Sequence, residues 1–243
     1  MTEYVPGDTH NQHQTAFTSK DFFFGQLGLG PKPTNFSDFT NPEESFLRSL
    51  KSNKSIPSLS FGYTAGAPYR LKKALGSLSL GGYDSSLFVP NSEKFSFSPD
   101  DSRSLTVGIE SITASNTLKT QNETSLLSER IISLIDSSVP DIWLPEAACA
   151  KFEAAFGLRF DVNTRRYLVN NTIHAELISR NPTVTFKLSN LVAGKGIDIV
   201  LPYQAFDLLA SFPIYTNTTR MFPLRRAAND TQYTLGRAFL QEA

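Results

Sequence analysis

Apolar and polar residues alternate along much of the chain, at the two-residue period of half-buried strands. Gly76-Ser77-Leu78-Ser79-Leu80-Gly81-Gly82 alternates cleanly, and Val184, Phe186 and Leu188 alternate with Thr183, Thr185 and Lys187. Leu59–Tyr63, Leu105–Ile112, Arg130–Ile135, Arg166–Val169, Ile197–Leu201 and Tyr233–Leu235 read as further strands. Helical spacing is confined to three places. Asn41, Pro42 and Glu44 fit an N-cap, a first helical position and a capping box ahead of Phe46, Leu47 and Leu50. Ala148, Phe152 and Phe156 mark a helix over Pro145–Phe156 that stops at Gly157, and Pro202–Leu209 is the third. Strands outnumber helices and the helices are isolated, so the pattern predicts a mainly β architecture rather than a βαβ series. The polar segment Asn91–Ser104 is expected to separate two lobes. Met1–Thr18 is polar and aperiodic, and reads as a disordered tail.

One stretch carries candidate chemistry. The β-branched run Ile131–Ile135 ends abruptly at Asp136-Ser137-Ser138, and Val139-Pro140-Asp141-Ile142-Trp143-Leu144-Pro145 follows, with the only Trp of the chain. A carboxylate where a buried strand leaves the core can be held by neighbouring hydroxyls and backbone N–H groups, which tunes its acidity. The same residues also suit an ordinary turn, since Asp and Ser are common turn formers and Pro140 helps to end the strand.

The remaining candidates have plainer readings. His10 and His13 fall in the polar tail, and the glycines of Phe22–Gly30 lack the spacing of a dinucleotide fingerprint. Asp84 reads as a turn residue and Asp230-Thr231 as a loop. Arg225-Arg226 reads as a solvated loop, Cys149 as a buried, inert thiol, and Trp143 as a core residue. No Ser/His/Asp arrangement gathers around His174, and no metal-ligand cluster or cofactor motif stands out.

Composition narrows the classes. The 243 residues carry 23 basic and 23 acidic side chains, so no net charge points to nucleic acid, and no apolar run reaches bilayer length. A single Cys gives no internal disulfide framework. Acceptor sequons for N-linked sugar stand at Asn35, Asn53, Asn122, Asn170, Asn217 and Asn229, which hints at a secreted history. The polar start has no signal-peptide core. A truncated copy of a secreted protein would account for both.

Four segments, in order, resemble the pepsin-like aspartic protease family. Phe24-Gly25-Gln26-Leu27-Gly28-Leu29-Gly30 is similar to its N-terminal-lobe DGILGLG segment. Gly76–Ser86 is similar to the G-x-L-x-x-GG-x-D segment at the lobe junction, Ile135–Ser138 to the C-terminal-lobe Asp-Thr/Ser-Gly turn, and Leu235–Leu240 to ILGD-x-F. The likeness covers about residues 19 to 243 and points toward fungal members. It implies a mainly β, pepsin-like acid-protease fold: a tail over 1–18, the second half of the N-terminal lobe with inter-lobe strands over 19–92, and the C-terminal lobe over 93–243. It also implies an aspartic dyad acting on a polypeptide substrate without a cofactor, in a secreted protein. Asp136 matches the second-lobe catalytic Asp, and Ser137 the hydroxyl residue beside it. Ser138 stands where the family has Gly. No segment before Asp21 resembles the first Asp-Thr-Gly turn or the flap, so the first carboxylate is expected to be missing from this chain. A non-catalytic, protease-like protein is the alternative; a β-sandwich binding module using Trp143 is a third.

Overall fold

The computed structural model describes residues 27–35, 40–70 and 75–243. The expected tail with His10 and His13, and the Phe22–Gln26 part of the glycine-bearing motif, lie outside the described residues. The chain divides into two compact units between Ser92 and Glu93.

In the smaller unit, helix α1 (Phe46–Ser52) starts later than the capping-box spacing predicts. Glu43 and Thr34 exchange both backbone hydrogen bonds at 3.0 Å, which keeps the chain extended there. Ser45, not Asn41, is the N-cap, and its side chain accepts from the Arg48 N–H at 3.4 Å. Strands β1 (Phe61–Thr64) and β2 (Ser77–Leu80) pair antiparallel, with Phe61 opposite Leu80. Gly81 follows at φ +80°, where a Cβ would meet Pro57 Cδ at 2.7 Å, so this position needs glycine. Asp84 is the turn residue expected: it caps the 3₁₀ turn Ser85–Leu87, accepting from the Ser86 N–H at 2.9 Å.

The larger unit holds β3 (Thr106–Ser115), β4 (Thr124–Ser125), β5 (Ile131–Ile135), β6 (Ile142–Leu144), α2 (Glu146–Phe156), β7 (Arg159–Asp161), β8 (Arg166–Leu168) and α3 (Asn171–Arg180). It continues with β9 (Thr183–Ser189), β10 (Gly196–Pro202), β11 (Leu208–Ala210), β12 (Thr219–Phe222), β13 (Leu224–Arg226) and β14 (Thr234–Leu235). One sheet runs β10-β9-β3-β5-β14-β6-β13, with β4 on β3; the other runs β11-β12-β8-β7. The mainly β expectation therefore holds. Helix α2 turns Ala148, Cys149, Phe152, Ala155 and Phe156 inward and ends at Gly157 in the left-handed conformation, as its spacing predicts. Phe222 stacks on Phe206 at 4.7 Å between ring centres and meets Phe156 at 5.3 Å, so rings from several elements close this core. Among the described residues, no helix is long and apolar enough to cross a membrane.

Two further expectations are corrected, and one helix is added. Pro202–Leu209 is not a helix. After one 3₁₀ turn, Tyr203–Ala205, the chain becomes β11, because Leu208–Ala210 finds a ladder partner in β12. Arg225-Arg226 is not a solvated loop but part of β13, parallel to β6. Arg226 reaches Glu146 at 2.7 Å and Glu153 at 2.8 Å on α2, and its guanidinium lies 4.0 Å from the ring centre of Phe160. Helix α3 was not predicted, because Leu177 is its only buried residue and leaves little apolar periodicity. Its ends were readable: Asn170 is the N-cap, Asn181 the left-handed C-cap, and Pro182 follows.

Glu110 on β3 accepts hydrogen bonds from the Ser189 hydroxyl and from Arg130 Nε, the latter at 2.8 Å. The Ser189 contact foremost, with Arg130, holds its carboxyl below the ordinary 4.5. A depressed carboxylate stabilises the fold above its ordinary range and loses that contribution on acidification. The stability advantage of wild type over Glu110→Gln, read from urea midpoints across pH, is therefore expected to shrink as the pH falls below 4.5.

Candidate active site

The larger unit's sheet brings β14 between β5 and β6. β14 pairs parallel with β5, Leu235 beside Ile135, and antiparallel with β6, Leu235 beside Ile142. The segment Asp136–Asp141 must therefore leave β5, cross the end of β14 and return as β6. The crossing is tightly fastened. The Asp136 N–H donates to Leu235 O at 3.1 Å, the Arg237 N–H to Val139 O at 2.8 Å, and the Ala238 N–H to Pro140 O at 3.1 Å. Gly236 passes directly beneath: a Cβ there would lie 2.3 Å from both Val139 O and Asp141 O.

Asp136 is half-buried at the head of this turn, and its Oδ1 accepts the Ser138 N–H at 2.8 Å. Its Oδ2 accepts no hydrogen bond among the described residues. Ser137 is exposed and engaged through its carbonyl rather than its hydroxyl. Arg237 Nη1 donates to the carbonyls of Ser137 and Ser138 at 3.1 and 3.2 Å, clamping the tip of the turn. Ser138 is not among the non-glycine residues with positive φ, so the turn accommodates serine without left-handed backbone.

At the far end of the turn, the buried Asp141 carboxylate is 1% exposed and lies 3.3 Å from Arg166 Nη1 and 3.8 Å from Arg225 Nε. Arg225 also donates to Thr164 O at 3.2 Å and sits 5.2 Å from the ring centre of Trp143. Burial pulls its guanidinium below its ordinary pKa, and the charge of Asp141 opposes that shift. Asp141, Arg166 and Arg225 tie the turn to β8 and β13. Trp143 is partly buried against Arg225 and is no open platform.

The other sequence candidates fall elsewhere. Asp230-Thr231 forms an exposed 3₁₀ turn ahead of β14. Because β14 runs parallel to β5, that turn lies at the opposite end of the strands from Asp136. His174 does find a carboxylate, with Nε2 2.8 Å from Asp207 Oδ2 and Arg220 3.5 Å from Oδ1. No serine or threonine hydroxyl is hydrogen-bonded to its ring among the described residues. Cys149 is fully buried, and burial pushes its thiol up to about 12, which leaves it unreactive. Among the described residues, no group of three His, Cys, Asp or Glu side chains is placed to hold a metal ion.

The arrangement around Asp136 is thus a half-buried carboxylate at the head of a turn that a third strand threads. The profile of the family described as eukaryotic aspartyl protease matches residues 3–243. The chain belongs to this family. Among solved structures, the aspartic proteinase from Irpex lacteus is similar in fold, with a TM-score of 0.54 at 16% identity. The match covers 83% of this chain and 56% of that one, so this chain spans little more than half the length of that proteinase. No curated protein sequence matches it. The pepsin-like fold expected from the motif order is thus present. The sequence missed Gly236, Arg237 and Asp141 as parts of the turn. The signal for the first two was on the page, in the Leu235–Leu240 segment singled out for its likeness to ILGD-x-F.

Proposed function

We propose that this aspartyl protease hydrolyses peptide bonds of polypeptide substrates through a pair of carboxylates, of which Asp136 is the one supplied here. The supporting observation is its setting: half-buried, one oxygen held by the Ser138 N–H and the other accepting no hydrogen bond among the described residues. In a dyad, two carboxylates a few ångströms apart share one proton, because both cannot ionise easily. The ionised member draws a proton from water as the water attacks the scissile carbonyl, and the protonated member donates to the carbonyl oxygen. Ser137 and Ser138 shape the turn. Asp230-Thr231 lies at the opposite end of the strands from Asp136 and cannot pair with it there. By the family likeness, the partner carboxylate is that of a first-lobe Asp-Thr-Gly turn. By the same family likeness the protein is extracellular.

A second reading is a non-catalytic, protease-like binding or structural protein. It is favoured by Ser138 at the family's glycine position. The two separate in one experiment on the natural gene product, assayed on an unfolded protein at acidic pH. Cleavage blocked by a statine-type inhibitor, and reduced at least about a hundredfold in Asp136→Ala, is expected for a dyad member. A folded natural product that does not cleave supports the non-catalytic reading.

A further inference from the structure

We propose that Asn170 and Asn217 carry N-linked oligosaccharide, an inference that rests on the extracellular part of the proposed function and not on its chemistry. All six sequon asparagines are exposed, but these two are also brought together. The Val169 N–H donates to Arg220 O at 3.2 Å, extending the ladder in which Leu168 pairs with Met221. Asn170 therefore stands opposite Thr219, and Thr219 in turn donates its hydroxyl to Asn217 O at 2.9 Å. The two sequons, Asn170-Asn171-Thr172 and Asn217-Thr218-Thr219, thus share one end of the four-stranded sheet.

Asn170 is chemically ready for the modification without loss to the fold. Its Oδ1 accepts the Ile173 N–H at 2.8 Å as the cap of α3, while its Nδ2 donates to no described partner. The donor is a lipid-diphosphate-linked oligosaccharide. Nδ2 forms a bond to the sugar C1, the C1–oxygen bond to the lipid diphosphate breaks, and Nδ2 loses one proton. Oδ1 stays an acceptor, so cap and sugar coexist. The attachment is also remote from the turn: four extended residues, roughly 13 Å, lead from Arg166, which holds Asp141, to Asn170.

The test is site mapping on the natural gene product. Enzymatic removal of N-linked sugar in heavy-oxygen water converts each sugar-bearing Asn to labelled Asp, which peptide mass spectrometry locates. Label is expected at Asn170 and Asn217. None is expected at Asn181, whose following Pro182 blocks the sequon. Thr172→Ala should abolish the label at Asn170 while leaving its cap, and hence the unfolding midpoint, in place. Exported, folded protein with Asn170 and Asn217 unlabelled overturns the proposal and leaves the extracellular assignment standing. Protein retained in the cell without sugar overturns both. Neither result bears on Asp136, whose role is read by cleavage.

Discussion

Asp141→Ala is expected to destabilise the larger unit by about 3–5 kcal/mol, the range for removing one partner of a buried ion cluster. Asp141 is 1% exposed, and Arg166 and Arg225 are 7% and 8% exposed, so solvent does little to screen what remains. Without the carboxylate, two guanidinium groups are left buried beside each other with no counter-charge. Each then carries its desolvation cost together with the repulsion of its neighbour. The cluster itself need not add net stability, since a well-packed apolar replacement is often neutral. The triple variant Asp141→Leu, Arg166→Met, Arg225→Met should accordingly recover most of the loss. Urea unfolding of both variants checks the pair of statements. An Asp141→Ala variant within about 1 kcal/mol of wild type would mean that these charges are solvated and do not hold the turn.

Gly236→Ala is the second large effect, expected at roughly 1–3 kcal/mol or more from overpacking alone. The added Cβ would sit 2.3 Å from two carbonyl oxygens, Val139 O and Asp141 O, and both belong to backbone that cannot rotate away. Gly236 is not among the glycines with positive φ, so the cost is steric rather than conformational. The crossing segment has to lift off β14. That movement loosens the Arg237 N–H contact to Val139 O and shifts Asp136, which hangs from the same turn. Lower thermal stability, with faster amide exchange at Arg237 and Ala238, is the expected signature. Gly82→Ala, where a Cβ meets nothing within 4 Å, is the control and should be close to neutral.

These two residues also mark the limit of what the sequence discloses. Strand β5 and the Asp136 turn are local, and an apolar run ending in Asp-Ser-Ser is visible within a dozen residues. The strand that threads the turn is not local. Arg237 and the Ser137 carbonyl it clamps are 100 residues apart, and two residues of β14 leave almost no periodic signal. Arg225 misled for a different reason. A pair of adjacent arginines ordinarily marks solvent, and only the tertiary fold shows Asp141 and Trp143 waiting for one of them and α2 for the other. Asn41, Pro42 and Glu44 offered a sound capping box, which the Thr34–Glu43 bridge displaced by a few residues. The mainly β fold was legible because alternation is repeated over many segments and no single one has to be right. The motif order added the family, which no individual segment carried.

The most direct test of the central claim, that this chain supplies one carboxylate of a dyad through Asp136, is complementation. The 243-residue chain is combined with a separately produced first-lobe segment bearing an Asp-Thr-Gly turn and flap, and cleavage of an unfolded protein is followed at acidic pH. Each part is expected to be silent alone. The complex should cleave, stop with a statine-type inhibitor, and fall to background when Asp136→Ala replaces the wild-type chain. Cleavage that survives Asp136→Ala, or a folded complex that never cleaves, would contradict the assignment.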